Sequence, residues 1–135
     1  MLECRFRRDV GSLHDVFQFV ARFFEAQGID PTLAYDIDLI IEELFTNMVK
    51  YSRDGDREIE IGLDHADSVI TVVLRDFDVE PYDLTQARPV DTSRPLSERR
   101  AGGLGLHFVR QVADSISYAH ENGNSTITVT KRLAP

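Results

Sequence analysis

The stretch Pro31–Ser52, PTLAYDIDLIIEELFTNMVKYS, constrains this chain more than any other. Asp30 suits the N-cap of a helix and Pro31 its first turn. Apolar residues then recur at Leu33, Ile37, Ile40, Ile41, Leu44, Phe45 and Met48, the period of an amphipathic helix about 30 Å long. A step of about 100° per residue places Asp36, Glu43 and Asn47 along one edge of the apolar arc. Glu43 and Asn47 stand at i and i+4, so a carboxylate and an amide oxygen project to the same side and can face one ligand. Taken alone the pair is weak: a Glu at a helix margin is usually solvated, and Asn is a mediocre helix former. Its weight comes from the rest of the chain.

With 135 residues the chain is read as one domain, 1–135, able to bury a single core. A net charge of −8 disfavours an electrostatic hold on nucleic acid or on an anionic membrane. The single cysteine, Cys4, has no partner for an internal disulfide and no metal-ligand spacing around it, which points to a reducing compartment. The first residues, MLECRFRRDVG, lack the apolar core of a signal peptide, and no apolar run reaches the ~18 residues of a membrane span. A cytoplasmic protein is expected.

In chain order, Leu2, Cys4 and Phe6 alternate with polar residues, so a strand is expected over residues 2–8. Ser12 and Asp15 resemble a capping box, followed by a helical stripe of Leu13, Val16, Phe17, Val20, Phe23 and Phe24 that ends before Gly28. After the Pro31–Ser52 helix, Ile59, Ile61 and Leu63 alternate with polar residues, Asp64–Ser68 reads as a turn, and Val69–Leu74 as an apolar strand leading to Asp76. Regular pattern vanishes over residues 83–101, where Pro89 and Pro95 interrupt it and Arg88, Arg94, Arg99 and Arg100 dominate. A loop of that length in a compact domain is disordered or functional, often a lid. Gly102–Leu106 opens an apolar helical run, Ile116–Glu121 reads as a strand, Asn122-Gly123 as a hairpin turn, and Ile127, Val129 and Leu133 as a last strand. This β-α-α-β-β-lid-α-β-β order predicts an α+β fold, a two-layer α/β sandwich with a mixed, mostly antiparallel sheet and three helices on one face.

Two further segments carry chemistry. In Arg100-Ala101-Gly102-Gly103-Leu104-Gly105-Leu106 the glycines let backbone approach a ligand, and the free N–H groups of a helix start favour phosphate. The segment lacks both the Walker A ending and a preceding strand of the dinucleotide fingerprint, and it reads equally well as a lid hinge. Asp76, at the end of an apolar strand, can accept from an exocyclic amine, although most strand-end aspartates only form turns. His107 is read as a packed or solvated histidine.

The order of these features resembles a known family. Glu43–Asn47 resembles the N box of the GHKL (HATPase_c) ATPase superfamily, Asp76 the start of its G1 box, and Gly102–Leu106 its G2 box. The length, the phrase GGLGLHFVRQVADSISY and the ending NSTITVTKRL are most similar to the small anti-sigma-factor serine/threonine kinases of the RsbW type. The resemblance implies a Bergerat-type sandwich binding ATP with Mg²⁺ under a lid. It implies that Asn47 holds Mg²⁺, Glu43 is the general base, and Asp76 reads the adenine amino group. Gly103 and Gly105 would offer N–H groups to the phosphates, with Gly102, Leu104, Leu106 and the lid residue Arg100 in the same site, and Thr128 would lie near the adenine. The implied partners are a STAS-fold anti-anti-sigma protein phosphorylated on serine or threonine, a sigma factor, and a second copy in a homodimer, with no direct nucleic acid and no membrane.

The chain departs from that pattern in three places, one of them a G1 stretch one residue longer than usual before the aromatic, here Tyr82. Relatives usually carry glycine two residues after the G1 aspartate, where this chain has Asp78, a carboxylate that either repels phosphate or turns outward; many have His where it has Tyr51. Two other readings stand beside the kinase. One is a binding module that sequesters a regulator without phosphoryl transfer, favoured by Asp78. The other is a histidine-kinase-like catalytic fragment, disfavoured by the lack of a preceding phosphoacceptor hairpin.

Overall fold

A computed structural model describes residues 1–51, 57–81 and 103–133, with the backbone alone described for Tyr51 and residues 103–107. The elements are β1 (Leu2–Phe6), α1 (Leu13–Gln27), α2 (Ala34–Tyr51), β2 (Ile59–Ala66), β3 (Val69–Asp76), α3 (Gly103–Val112), β4 (Ser115–Glu121) and β5 (Asn124–Arg132). The expected lid, 83–101, lies outside the described residues, as do Arg99, Arg100 and Gly102.

The five strands form one sheet in the order β1-β2-β3-β5-β4. Every described pairing is antiparallel. Both consecutive hairpins close through two residues with positive φ: Asp67 and Ser68 (53° and 63°) and Asn122 and Gly123 (53° and 80°). That geometry matches the right-handed twist of the flanking strands. It also explains why β2 and β3 run longer than expected: Ala66 pairs directly with Val69, so the turn is Asp67-Ser68 and not Asp64–Ser68.

One face of the sheet is apolar because alternate residues of each strand point to it. Ile59, Ile61 and Leu63 from β2, Ile70, Val72 and Leu74 from β3, and Ile127 and Val129 from β5 are all buried there. Helix α1 lies against β1 and β2, and α2 against β3. Val16, Phe19, Val20 and Phe23 supply the buried stripe of α1, and the Phe6 and Phe19 rings meet edge to face, 5.6 Å between centroids. Phe19 therefore takes the core position expected of Phe17, which is only half-buried, because the 3.6-residue period puts residues 16, 19, 20 and 23 in line.

The helix ends follow local chemistry. Ser12 makes no side-chain cap; its hydroxyl donates to the Arg7 carbonyl (2.9 Å), while Asp9 accepts from the Gly11 N–H (3.0 Å) and starts a short 3₁₀ turn ahead of α1. Gly28 closes α1 at φ 67°, where Gly28 N–H donates to Glu25 and Ile29 N–H to Phe24, a glycine C-cap. Asp30 does cap the next segment, accepting from Thr32 N–H at 3.0 Å, and a 3₁₀ turn over Pro31–Leu33 leads into α2.

Candidate functional site

Helix α2 crosses the centre of the core. Ile37, Ile40, Ile41, Leu44 and Phe45 have no exposed surface, which fixes the rotation of the helix and hence where its polar edge points. Asn47 is buried at 3% exposure, and Glu43, one turn earlier, is half-buried. Burial pushes the Glu43 carboxyl above its ordinary pKa, the charge of Glu42 adds to this, and Lys50 partly offsets it. A carboxylate with raised proton affinity beside a buried amide has the chemistry of a general base next to a hard oxygen ligand.

Helix α3 begins at Gly103 and packs along α2, with Val109 in the core. The expected helix entry at Gly103-Leu104-Gly105-Leu106 is thus real as backbone. Its first-turn N–H groups have no partners within the helix, as at any helix start.

The G1 segment differs most from expectation. Asp76 ends β3 on the core face and is 1% exposed. Both of its oxygens are engaged by Arg8: Nη2 donates to Oδ1, and Nη1 donates to Oδ2 at 3.3 Å. The same guanidinium donates from Nη1 to the Met48 carbonyl in the last turn of α2 (3.1 Å) and from Nε to the Arg57 carbonyl (3.3 Å). Arg8, 10% exposed, therefore ties the end of β1, the C-terminal end of α2, the start of β2 and the end of β3 to one point. A cation is favourable at that end of a helix. Removing one partner of such a buried pair typically costs about 3–5 kcal/mol.

The next two residues face the other way. Phe77 lies beneath the guanidinium groups of Arg5 and Arg57, 4.8 and 5.7 Å from its centroid. Asp78 adopts φ 54°, the left-handed region that glycine enters without penalty and Asp tolerates. Its carboxylate is 64% exposed and accepts from Arg57 Nη1 at 2.7 Å. Asp78 is thus turned outward, and its backbone supplies the turn. The chain then returns to the β4–β5 hairpin: Asp78 N–H donates to Asn124 Oδ1 (3.2 Å), Val79 N–H to the Gly123 carbonyl (2.9 Å), and His120 Nε2 lies 2.8 Å from the Val79 carbonyl.

Thr128, expected beside the adenine, does not share a face with Asp76. It pairs with Val73 and Ser117 on the side of the sheet away from the helices, because Ile127 and Val129 take the core side. The β5 residue directly opposite Asp76 is Ser125, 6% exposed, whose hydroxyl is 3.0 Å from the Tyr118 hydroxyl. Counting back by two from the Ile127-Val129 pair places Ser125 on the face of β5 that Asp76 shares.

One carboxylate of α2 lies outside this arrangement. Asp38 has a buried oxygen, Oδ1, with no partner among the described residues. Its burial, helped by Glu42, raises its pKa from 3.8 to about 6. The stabilising state is the protonated one, fully present below pH 3.8 and lost as pH rises through 6. The full gap corresponds to about 3 kcal/mol; with half the group in solvent, about 1–2 kcal/mol is expected. Asp38→Asn should raise stability by that amount at pH 7, and urea unfolding at pH 4 should show the gain gone. An equal gain at both pH values would sink the assignment.

A family profile described as "Histidine kinase-like ATPase domain" matches residues 6–131. The chain belongs to that family. Within it the likeness is to the RsbW type: the serine-protein kinase RsbW of Halalkalibacterium halodurans is 26% identical over 102 residues, covering 73% of this chain and 62% of the relative. The anti-sigma F factor of Bacillus licheniformis is 30% identical over 112 residues, covering 78% and 75%. The chain thus matches less than two thirds of the length of the first relative. Among solved structures, the RsbU and RsbW domains of a Mycobacterium tuberculosis protein match 99% of this chain and 33% of that one, with a TM-score of 0.69 at 18% identity. The Pseudomonas aeruginosa SiaB–SiaC complex matches 97% and 89% with a TM-score of 0.59 at 12% identity. These confirm the two-layer fold. No described helix is long and apolar enough to cross a membrane.

Proposed function

We propose that this chain is a nucleotide-dependent switch protein that phosphorylates a serine or threonine of a STAS-fold anti-anti-sigma protein and sequesters a sigma factor. The observation that carries this reading is the pairing on α2, the helix against which α3 packs, of half-buried Glu43, its pKa raised, with buried Asn47. Two relatives, a serine-protein kinase and an anti-sigma F factor, support it from outside the structure.

In this reading Asn47 anchors Mg²⁺ through its amide oxygen, an ion that keeps most of its waters and needs few protein groups. Bound Mg-ATP supplies the phosphoryl group and neutralises its charge. With Mg-ATP bound, Glu43 would orient the substrate hydroxyl and would accept its proton as the phosphoryl group passes to that oxygen and ADP leaves. Backbone N–H groups at Gly103 and Gly105 hold phosphate oxygens, with Gly102, Leu104, Leu106 and Arg100 completing the site. A homodimer and a cytoplasmic location accompany the reading.

The second reading, a binding module without transfer, is favoured by one observation: Asp76 is closed off by Arg8. Calorimetric titration with ATP, with and without Mg²⁺, followed by incubation with a STAS protein and labelled ATP, separates the two. Mg²⁺-dependent binding and a labelled STAS serine are expected. Binding without label would leave the module; no binding in either condition would sink the nucleotide site.

A further inference from the structure

We infer that the tip of the β4–β5 hairpin is a clamp on the nucleotide site, and that His120 is the positioning residue through which it holds the Asp76–Val79 turn for the base end of the ligand. The inference rests on the nucleotide reading above. Among the described residues three polar side chains are buried, Asn47, Asp76 and Ser125. They are not scattered. One Arg8 nitrogen donates both to Asp76 and to the carbonyl of Met48, the residue after Asn47, and Ser125 pairs with Asp76 across the sheet. The β4 residue opposite Ser125 is His120. A polar row thus crosses β3, β5 and β4 beside the last turns of α2. Burying polar groups is unfavourable, so a row of them at one end of an otherwise apolar face marks the wall of a site. A nucleotide held by its phosphates at Asn47 and at the start of α3 leaves its base to that wall.

The turn at the end of that row is not shaped by the core. Val79 is buried, yet it stands outside the main core cluster, and Asp78 occupies a left-handed conformation that glycine alone enters freely. The Arg57–Asp78 ion pair is exposed, and such pairs hold little. What remains is the hairpin tip. Asn124 accepts from the Asp78 N–H (3.2 Å), the Gly123 carbonyl accepts from the Val79 N–H (2.9 Å), and His120 Nε2 lies 2.8 Å from the Val79 carbonyl. A carbonyl only accepts, so Nε2 carries the proton and donates. His120 is the one of the three that reaches the turn with a side-chain donor, and it satisfies the carbonyl of a buried residue. Without that donor the carbonyl is left to seek water and the turn is free to peel from the hairpin. The clamp therefore acts on the base end of the site and leaves the phosphate end, on α2 and α3, as it is.

The test compares calorimetric affinity for Mg-ATP with affinity for Mg-tripolyphosphate, which has neither base nor ribose, the latter read by its competition with Mg-ATP. The proteins are wild type, His120→Phe, which keeps a ring and loses the donor, and His120→Gln, which keeps an N–H donor. His120→Phe is expected to bind Mg-ATP about tenfold more weakly than wild type, the scale of one hydrogen bond, and tripolyphosphate within about twofold of it. His120→Gln is expected to recover most of the loss. Both ligands are measured on one preparation, so the folded fraction cancels from their ratio. If circular dichroism shows His120→Phe unfolded, Asn124→Ala, which removes the acceptor for the Asp78 N–H, takes its place with the same split expected. An equal fall for both ligands, no fall for either, or a glutamine variant no better than the phenylalanine one overturns the clamp and leaves the nucleotide reading standing. Binding of neither ligand by the wild type overturns the nucleotide reading, and this inference with it.

Discussion

Glu43→Gln is expected to bind Mg-ATP within about threefold of wild type while phosphoryl transfer to the STAS partner falls by roughly 10²–10⁴, the usual worth of a positioned general base. Glutamine keeps the size and the half-buried place of the side chain on α2. It loses the ability to take a proton. The pH profile separates this from a loss of positioning. Because burial and Glu42 raise the Glu43 pKa, wild-type transfer should decline as pH falls through that raised value, and the residual activity of the variant should lack this acid limb. Asn47→Ala should behave in the opposite sense, removing the Mg²⁺-dependent part of binding itself. If Glu43→Gln retained full transfer, or if Asn47→Ala bound Mg-ATP normally, α2 would not be the catalytic element.

The largest effect on stability is expected from Phe45→Ala. Phe45 sits with zero exposure between the two polar residues of the α2 edge, in the cluster that also holds Ile41, Leu44 and Met48. Truncating a buried Phe removes its transfer energy and leaves a cavity, together about 3–5 kcal/mol. For a domain whose whole stability is typically about 5–15 kcal/mol, that is a large share. The urea midpoint should fall with little change in slope. The neighbouring site should loosen too, since the packing of this face sets the direction of Glu43 and Asn47. A loss below about 1 kcal/mol would mean that the core around α2 repacks freely and does not fix the site.

The legible parts of the molecule were those with local causes. Asp30 accepting from Thr32 N–H, the 3.6-residue stripe of α2, Gly28 as the end of α1, and Asn122-Gly123 as a hairpin turn each depend on a few neighbouring residues, and each stands where its residues point. Phe17 and Phe19 both flank the same stripe, and the strict 3.6-residue period, reinforced by the packing against Phe6, selects Phe19. Thr128 and Ser125 differ only by register, which an Ile-Thr-Val alternation implies once the strand is known to have one buried face. Arg8 carried no signal at all. In sequence it is one of two adjacent arginines at the end of a strand, and its partner Asp76 is 68 residues away. Asp78 illustrates a different failure: its chemistry suggests a carboxylate near phosphate, whereas the backbone there requires a residue able to adopt φ 54°, and the side chain follows outward.

The placement of β5 between β3 and β4 bears on how the chain is made. The strand that completes the middle of the sheet, Asn124–Arg132, is the last of the five described strands to be synthesised, so a nascent chain already holding β1, β2 and β3 lacks the strand that pairs along the β5 side of β3. Open edges of apolar strands invite pairing with other chains. The Ile70, Val72 and Leu74 row on that strand must wait for Ile127 and Val129 before it is covered from the side. Slow synthesis of Asn124–Arg132, or its loss by truncation, should therefore divert the protein toward aggregation, not merely leave a shorter folded domain.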